Sequence, residues 1–331
     1  MYLRRIRFTA VVITFLIFGG LSFPSVLHSQ EQQTDGSRIV FYSFFVNIVS
    51  EPFNFPLIGF VNIARGNHLF PQIGFINLNT ANFSSLQAGF INTALGDVNG
   101  LQLGFINTAA GDLSGLQLGF VNTANSFAGS QIGFINTTAR ESQGLQLGFV
   151  NIAARAHNGV QIGFVNYAES IENGIPIGFI SIVRRGGYRA VELSFTEFYH
   201  FNAGLKLGVE RFYSTLFAAY NSVTDFDLKY FAAGLGFGSI IRISESFFVN
   251  PELNSLSTFE SRGNRQYLSF VPFFGFDINR FFSVTLGPSV TWSRANSDAE
   301  LRSPNFYITE HRINDNNSIV VGARAALRLR F

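Results

Sequence analysis

Between residues 100 and 124 the chain reads GLQLGFINTAAGDLSGLQLGFVNTA, and in it Leu101, Leu103 and Phe105 alternate with Gln102 and Gly104. A period of two is the mark of a β-strand, whose successive side chains point to opposite faces. The pattern recurs. The Phe of each Gly-Phe pair stands at Phe60, Phe75, Phe90, Phe105, Phe120, Phe134, Phe149, Phe164 and Phe179, a spacing of 15 residues broken once by 14. Phe45, in FFVNI, is an imperfect copy one period earlier. Two residues after the Phe comes an Asn, from Asn47 to Asn166, replaced in the last copy by Ser181; three residues before it stands a Gln, from Gln72 to Gln161. The missing residue falls between Asn122 and Gln131, and every charge between residues 40 and 183 lies outside the Gln-to-Asn phrases. The phrase therefore predicts one strand per repeat with Phe in its middle, and connectors such as AAGDLSG predict loops.

One strand per 15 residues can form a solenoid, in which every coil repeats its path, or an up-and-down meander. The Asn favours the solenoid. Equivalent residues then stack at roughly 4.8 Å, and a buried Asn can bond its neighbours above and below as a ladder. In a meander the same Asn would fall at opposite ends of adjacent strands. The alternative is one large up-and-down barrel that includes the repeats, since low-charge strands of this length also suit a membrane barrel. Its weakness is that the connectors do not alternate between short and long, and that Phe forms no girdle at the strand ends. In the solenoid the Gln and connector residues are expected to be exposed and to form the contact surface.

Beyond Gly187 the alternation changes character. In FFSVTLGPSVTWS, Phe282, Val284, Leu286, Pro288, Val290 and Trp292 share one face, while Ser283, Thr285, Gly287, Ser289, Thr291 and Ser293 share the other. At the end of the chain Val321, Ala323, Ala325, Leu327, Leu329 and Phe331 alternate with Gly322, Arg324, Arg328 and Arg330. Apolar-out, polar-in strands of this kind suit a barrel between lipid and a polar lumen. About eight strands are predicted, at 189–199, 203–212, 214–223, 227–242, 246–259, 265–278, 281–294 and 317–331. The long gap 295–316 and the ESRGNR loop fall on one side, and the short SES and NR turns on the other. A soluble β-sandwich would also explain the alternation.

Composition narrows the setting. The 331 residues include 40 Phe, 32 Gly and no Cys, with 13% charged residues. The opening MYLRRIRFTAVVITFLIFGG places three arginines ahead of a short apolar run and predicts a signal peptide over 1–29, with a membrane-anchoring helix as the alternative. Without cysteine there is neither a disulfide framework nor a lipid-bearing N-terminal Cys. The full chain carries +2, but without residues 1–29 it has 20 basic against 21 acidic residues, so net charge gives no reason to expect a nucleic-acid partner. The organisation read from these signals is a signal peptide (1–29), an N-terminal segment (30–44), the β-repeat region (45–183) and a barrel-like domain (188–331). The fold class is all-β: a β-solenoid followed by an antiparallel outer-membrane-type β-barrel.

The ending ALRLRF, with a terminal aromatic and alternating apolar residues, resembles the C-terminal assembly signal of outer-membrane β-barrels. The phrase GLQLGFINTA and the junction RRGGYRAVEL resemble a bacterial family of surface repeat-containing proteins; the repeat resemblance covers about 45–183 and the barrel resemblance about 188–331. More distantly, the repeats resemble the β-roll heads of trimeric adhesins, but the chain has no heptad stalk. The barrel resemblance implies a place in the cell outer membrane, with lipid and the barrel assembly machinery as partners. A surface or envelope ligand is left unidentified.

Catalytic signals are weak. His68, His157, His200 and His311 are isolated in sequence, without metal-site spacing. GLGFG at 234–238 has the composition of a phosphate loop, yet no helix pattern follows it, and close packing in a barrel accounts for it better. Glu192, Lys206, Glu210, Glu252, Asp277 and Arg324 are placed to face a lumen, where pairing would fill an eight-stranded barrel and leave no open pore. An enzyme on a solenoid scaffold would need acids or histidines clustered on one face, and the phrases carry almost no charge. No catalytic, cofactor-binding or metal-binding residue is assigned and no cofactor is expected. The sequence reads as a non-enzymatic, barrel-anchored envelope protein whose repeats serve structure or binding, the alternative being a pore with the repeats as barrel strands.

Overall fold

The computed structural model describes residues 41–221, 231–258, 264–296, 301 and 303–331. The signal peptide expected over 1–29, and the N-terminal segment up to residue 40, lie outside the described residues. All regular elements among those described are strands.

The repeats pair in parallel, each with the next copy. Asn62 lies beside Asn77, Asn77 beside Asn92, Asn92 beside Asn107, Asn107 beside Asn122, Asn122 beside Asn136, and Asn136 beside Asn151. Parallel pairing of successive copies is a solenoid and excludes the single large up-and-down barrel for this region. One coil shows the path: strand Ile91–Ala94, a corner at residues 95–97, strand Val98–Leu103, then a bend at Gly104 and Phe105. Each repeat thus contributes two strand segments, not the one expected. Phe105 sits at the bend rather than in mid-strand, and connector residues expected to be loop, such as Leu113 and Ser114, are paired in strand Ile106–Leu118. The missing residue is absorbed at a corner, where the register between neighbouring coils shifts between Ala124 and Ser126.

The reason for two segments lies in which residues face in. Asn107, Ala109, Leu113 and Gln117 are buried, so inward positions recur on both segments of the coil. Phe83, Val98, Leu113 and Phe127 stack with Ala94, Ala109 and Ala124 as the apolar part of this interior. Val98 and Leu113 belong to the connectors, and burying them needs a second strand.

The residues fall into two compact units, up to Val160 and from Gln161 onward. Strand Val160–Glu172, all but its first residue in the second unit, lies beside strand Ile175–Arg185 in one sheet. Eight antiparallel strands follow: Tyr188–Phe195, Phe201–Val209, Phe212–Tyr220, Phe231–Gly238, Phe247–Thr258, Arg265–Asp277, Phe282–Ala295 and Asn317–Arg330. The first pairs with the last, from Ala190 beside Arg330 to Phe195 beside Ala325, and closes the barrel. Burial alternates strictly along Phe282–Ala295, with Ser283, Thr285, Ser289, Thr291 and Ser293 inside and Phe282, Val284, Leu286 and Val290 outside. Each expected barrel strand has its counterpart; the expected stretches at 222–223, 227–230 and residue 259 lie outside the described residues. The gap 295–316, expected to be a connector, contains a further strand, Thr309–Asn314, which forms a hairpin on Asn317–Val321.

Candidate functional site

Charged side chains in an eight-stranded barrel have little room for water, so burying them calls for partners within the lumen. Near one end, Arg328 bonds Glu192 at 2.6 Å and Glu252 at 2.9 Å, while Lys206 reaches Glu252 at 2.7 Å and Glu192 at 3.2 Å. Two cations and two carboxylates cancel. Tyr213 donates its hydroxyl hydrogen to Glu252 and accepts a bond from the Asn250 amide at 2.6 Å.

A second layer is built from Glu197, in the connector 196–200. Arg324 grips it with Nε at 2.9 Å and Nη2 at 3.0 Å, a two-point contact; Thr291 also donates to Glu197, and Arg324 Nη2 donates to Ser269 at 2.6 Å. Between the layers is a cavity of about 30 Å³ bordered by Glu192, Thr215, Glu252, Phe273 and Arg324. That is room for a water molecule or two.

Of the residues placed to face a lumen, the structure brings Glu192, Lys206, Glu252 and Arg324 into it. Glu210 and Asp277 lie at strand ends instead, paired with Arg242, and Asp277 also with Arg330. Glu197 escaped the sequence reading because it falls in a turn, outside the alternation that marks inward residues. The GLGFG glycines make room: a Cβ on Gly234 would lie 2.1 Å from the Ser255 carbonyl oxygen, and one on Gly238 2.5 Å from the Tyr213 hydroxyl.

The solenoid interior holds two amide ladders. Asn62 Nδ2 donates to Asn77 Oδ1 at 2.8 Å, and the same bond joins Asn77 to Asn92, Asn92 to Asn107, Asn107 to Asn122 and Asn122 to Asn136. The expected Asn ladder is present. The expectation of exposed Gln is overturned: Gln72, Gln87, Gln102, Gln117 and Gln131 are fully buried. Gln102 donates to Gln87 and Gln117 to Gln102, each at 2.7 Å, so these amides are consumed by one another and form no contact surface. The reason is the bend at Gly-Phe, which turns the strand so that Gln and Asn both point inward.

His68, read as isolated, is buried with its ring 6.5 Å from that of Phe53 and 6.3 Å from that of Phe83, and burial holds its pKa below the ordinary value. Among the described residues no group of three or more His, Asp or Glu side chains is arranged to hold a metal ion. Comparison with protein-family models, curated proteins and solved structures finds no match to this chain.

Proposed function

We propose that the protein is a non-enzymatic component of a bacterial outer membrane, in which the barrel is the anchor and the solenoid a rigid element for structure or binding. The carrying observation is the barrel itself: eight strands closed on each other, apolar side chains outward, and a lumen whose charges neutralise one another. An outward face of Leu193, Phe270, Phe274 and Leu286 is costly in water and favourable in hydrocarbon. Phe331, exposed on the same alternation as Leu327 and Leu329, adds an aromatic ring to that face, and the reading has the barrel assembly machinery as a partner. The reading includes export by a cleaved signal peptide and residence in the outer membrane.

The test is expression of the full chain, fractionation, and electrophoresis with and without boiling. The reading expects the protein in the outer-membrane fraction, with a fast-migrating form that boiling abolishes, and no conductance steps in planar bilayers. Deletion of Phe331 should lower the membrane yield. A fully soluble product would overturn the anchor, and stable conductance steps would show an open lumen and overturn the reading of the barrel as an anchor alone.

A further inference from the structure

The repeats turn an apolar edge outward. At each Gly-Phe bend the Phe ring stacks on the next, with centroids 4.9–5.0 Å apart and planes within 3° from Phe60 to Phe149. Phe105 is 44% exposed and Leu118 46%. The residue before each Gly-Phe pair and the residue after it are Ile, Leu, Val or Ala throughout, from Ile58 and Val61 to Ile177 and Ile180. Charges are confined to the far corner, where Arg65, Asp97, Asp112, Arg140 and Arg155 are exposed.

Three features identify what this edge meets. The backbone N–H groups at the bend are all bonded to the neighbouring coils: the Gly119 N–H donates to Ile132 O, and those of Phe120 and Val121 both donate to Phe105 O, at 2.9–3.0 Å, with the same pattern at Gly104, Phe105 and Ile106. No N–H is left at the bend that would need water, as a lipid-facing position requires. The ring faces are covered by neighbouring rings, so the edge offers C–H bonds and methyl groups but no open π-face for a sugar to stack on. Its amides are turned inward, so a protein partner finds no hydrogen bond to fix its register. Within the second unit, Phe179, which stacks on Phe164 at 4.9 Å, borders an open cleft with Val191, Leu205 and Leu216, residues of the barrel's outward face. This bend therefore shares the barrel's apolar surroundings.

We infer that the Gly-Phe edge of the solenoid is a lipid-facing surface, with its Phe column and flanking aliphatic side chains among the acyl chains of the bilayer. The inference rests on the barrel being membrane-inserted. Because the chain has no cysteine, single labels can test it. Phe105→Cys and Leu118→Cys probe the edge, Asp112→Cys the charged corner, and Leu286→Cys the barrel wall, each in the full chain carrying an environment-sensitive fluorophore. The proteins are reconstituted into phosphatidylcholine–phosphatidylglycerol vesicles with nitroxides on the acyl chains, and quenching is compared with that by aqueous iodide. The expected result is strong nitroxide quenching and iodide protection at 105, 118 and 286, and the reverse at 112. Leu118→Cys keeps the ring column intact should Phe105→Cys disturb it. Nitroxide quenching at 286 with iodide access at 105 and 118 overturns the inference and leaves the anchor standing. Protection from both quenchers at 105 and 118 would mean that a second copy or another protein covers the edge, which also overturns it. No nitroxide quenching at 286 overturns the membrane reading and the inference with it.

Discussion

Replacing one rung of the Asn ladder isolates what holds the coils together. The Asn107 side chain is fully buried; it donates to Asn122 Oδ1 at 2.9 Å and Leu118 O at 3.0 Å, and accepts from Asn92 Nδ2 at 2.8 Å. In Asn107→Leu all three bonds vanish. Leu118 O keeps the Gly104 N–H and Asn92 Nδ2 keeps Leu103 O, so neither is orphaned. Asn122 Oδ1 loses its donor, at a cost of about 1–3 kcal/mol for a buried acceptor, and the other lost bonds add about 0.5–1.5 kcal/mol each. Leucine recovers part of this by burying more apolar surface, but a Cβ built on Gly119 would lie only 2.5 Å from Asn107 Nδ2, which shows how closely the bend approaches the amide. A net loss of about 2–4 kcal/mol is expected. Hydrogen-exchange mass spectrometry reads local opening directly. Deuterium uptake should rise in the coils on both sides of residue 107, because each rung serves both neighbours. Asn99→Leu, at an exposed position of the same region, should change stability by less than about 0.5 kcal/mol. Equal uptake in the two variants would refute the ladder as a source of stability.

Three further outcomes follow from the packing. Gly119→Ala places a Cβ 2.2 Å from the Gly104 carbonyl oxygen, backbone that cannot move without shifting the next coil; it should cost at least about 1–3 kcal/mol, read by the same exchange experiment. Arg328→Met leaves Glu192 and Glu252 sharing Lys206 alone in a buried lumen, a loss of about 3–5 kcal/mol that should lower the temperature at which the fast-migrating folded form disappears. Removing one carboxylate as well, in the double variant Arg328→Met with Glu192→Gln, should recover part of it. His68 is held neutral by burial, so the first coils should be fully stable above its unfolded pKa of about 6.5 and lose stability as pH falls through the lowered folded value; His68→Phe should abolish this dependence of exchange on pH.

The barrel was legible because each of its strands obeys one rule along its whole length. Ser283 to Ser293 face in and Phe282 to Val290 face out, so a count of alternate residues recovers both the strand and its orientation. The repeat length and the Asn ladder were legible for a similar reason, since identity at a fixed period implies stacking. What alternation could not reveal was the bend at Gly104 and Phe105. A strand read straight through would put Gln102 and Gly104 on one face and Asn107 on the other; the turn brings Gln102 and Asn107 inward together and leaves Leu103 and Ile106 outside. The sequence also hides Glu197, whose role depends on Arg324, 127 residues away in sequence.

The two amide ladders also explain residues that break the repeat. Asn side chains donate toward the following coil and Gln side chains toward the preceding one. Each amide also bonds backbone: Asn107 to Leu118 O, Gln117 to Thr123 O. A single chain of aligned amides reinforces itself but accumulates a dipole along the stack; two chains of opposite sense keep the reinforcement while their dipoles oppose. Such a ladder needs something other than itself at its ends. At the first rung Asn47 Oδ1 accepts the Ser43 backbone N–H at 2.8 Å, and in the last copy Ser181, in place of Asn, offers its hydroxyl oxygen to Asn166 Nδ2 at 3.3 Å and donates onward to Pro176 O at 3.2 Å. A serine satisfies the final donor without extending a new amide toward a coil that does not follow. The departure at Ser181 thus ends the amide bonding of the second unit, just ahead of its antiparallel barrel strands.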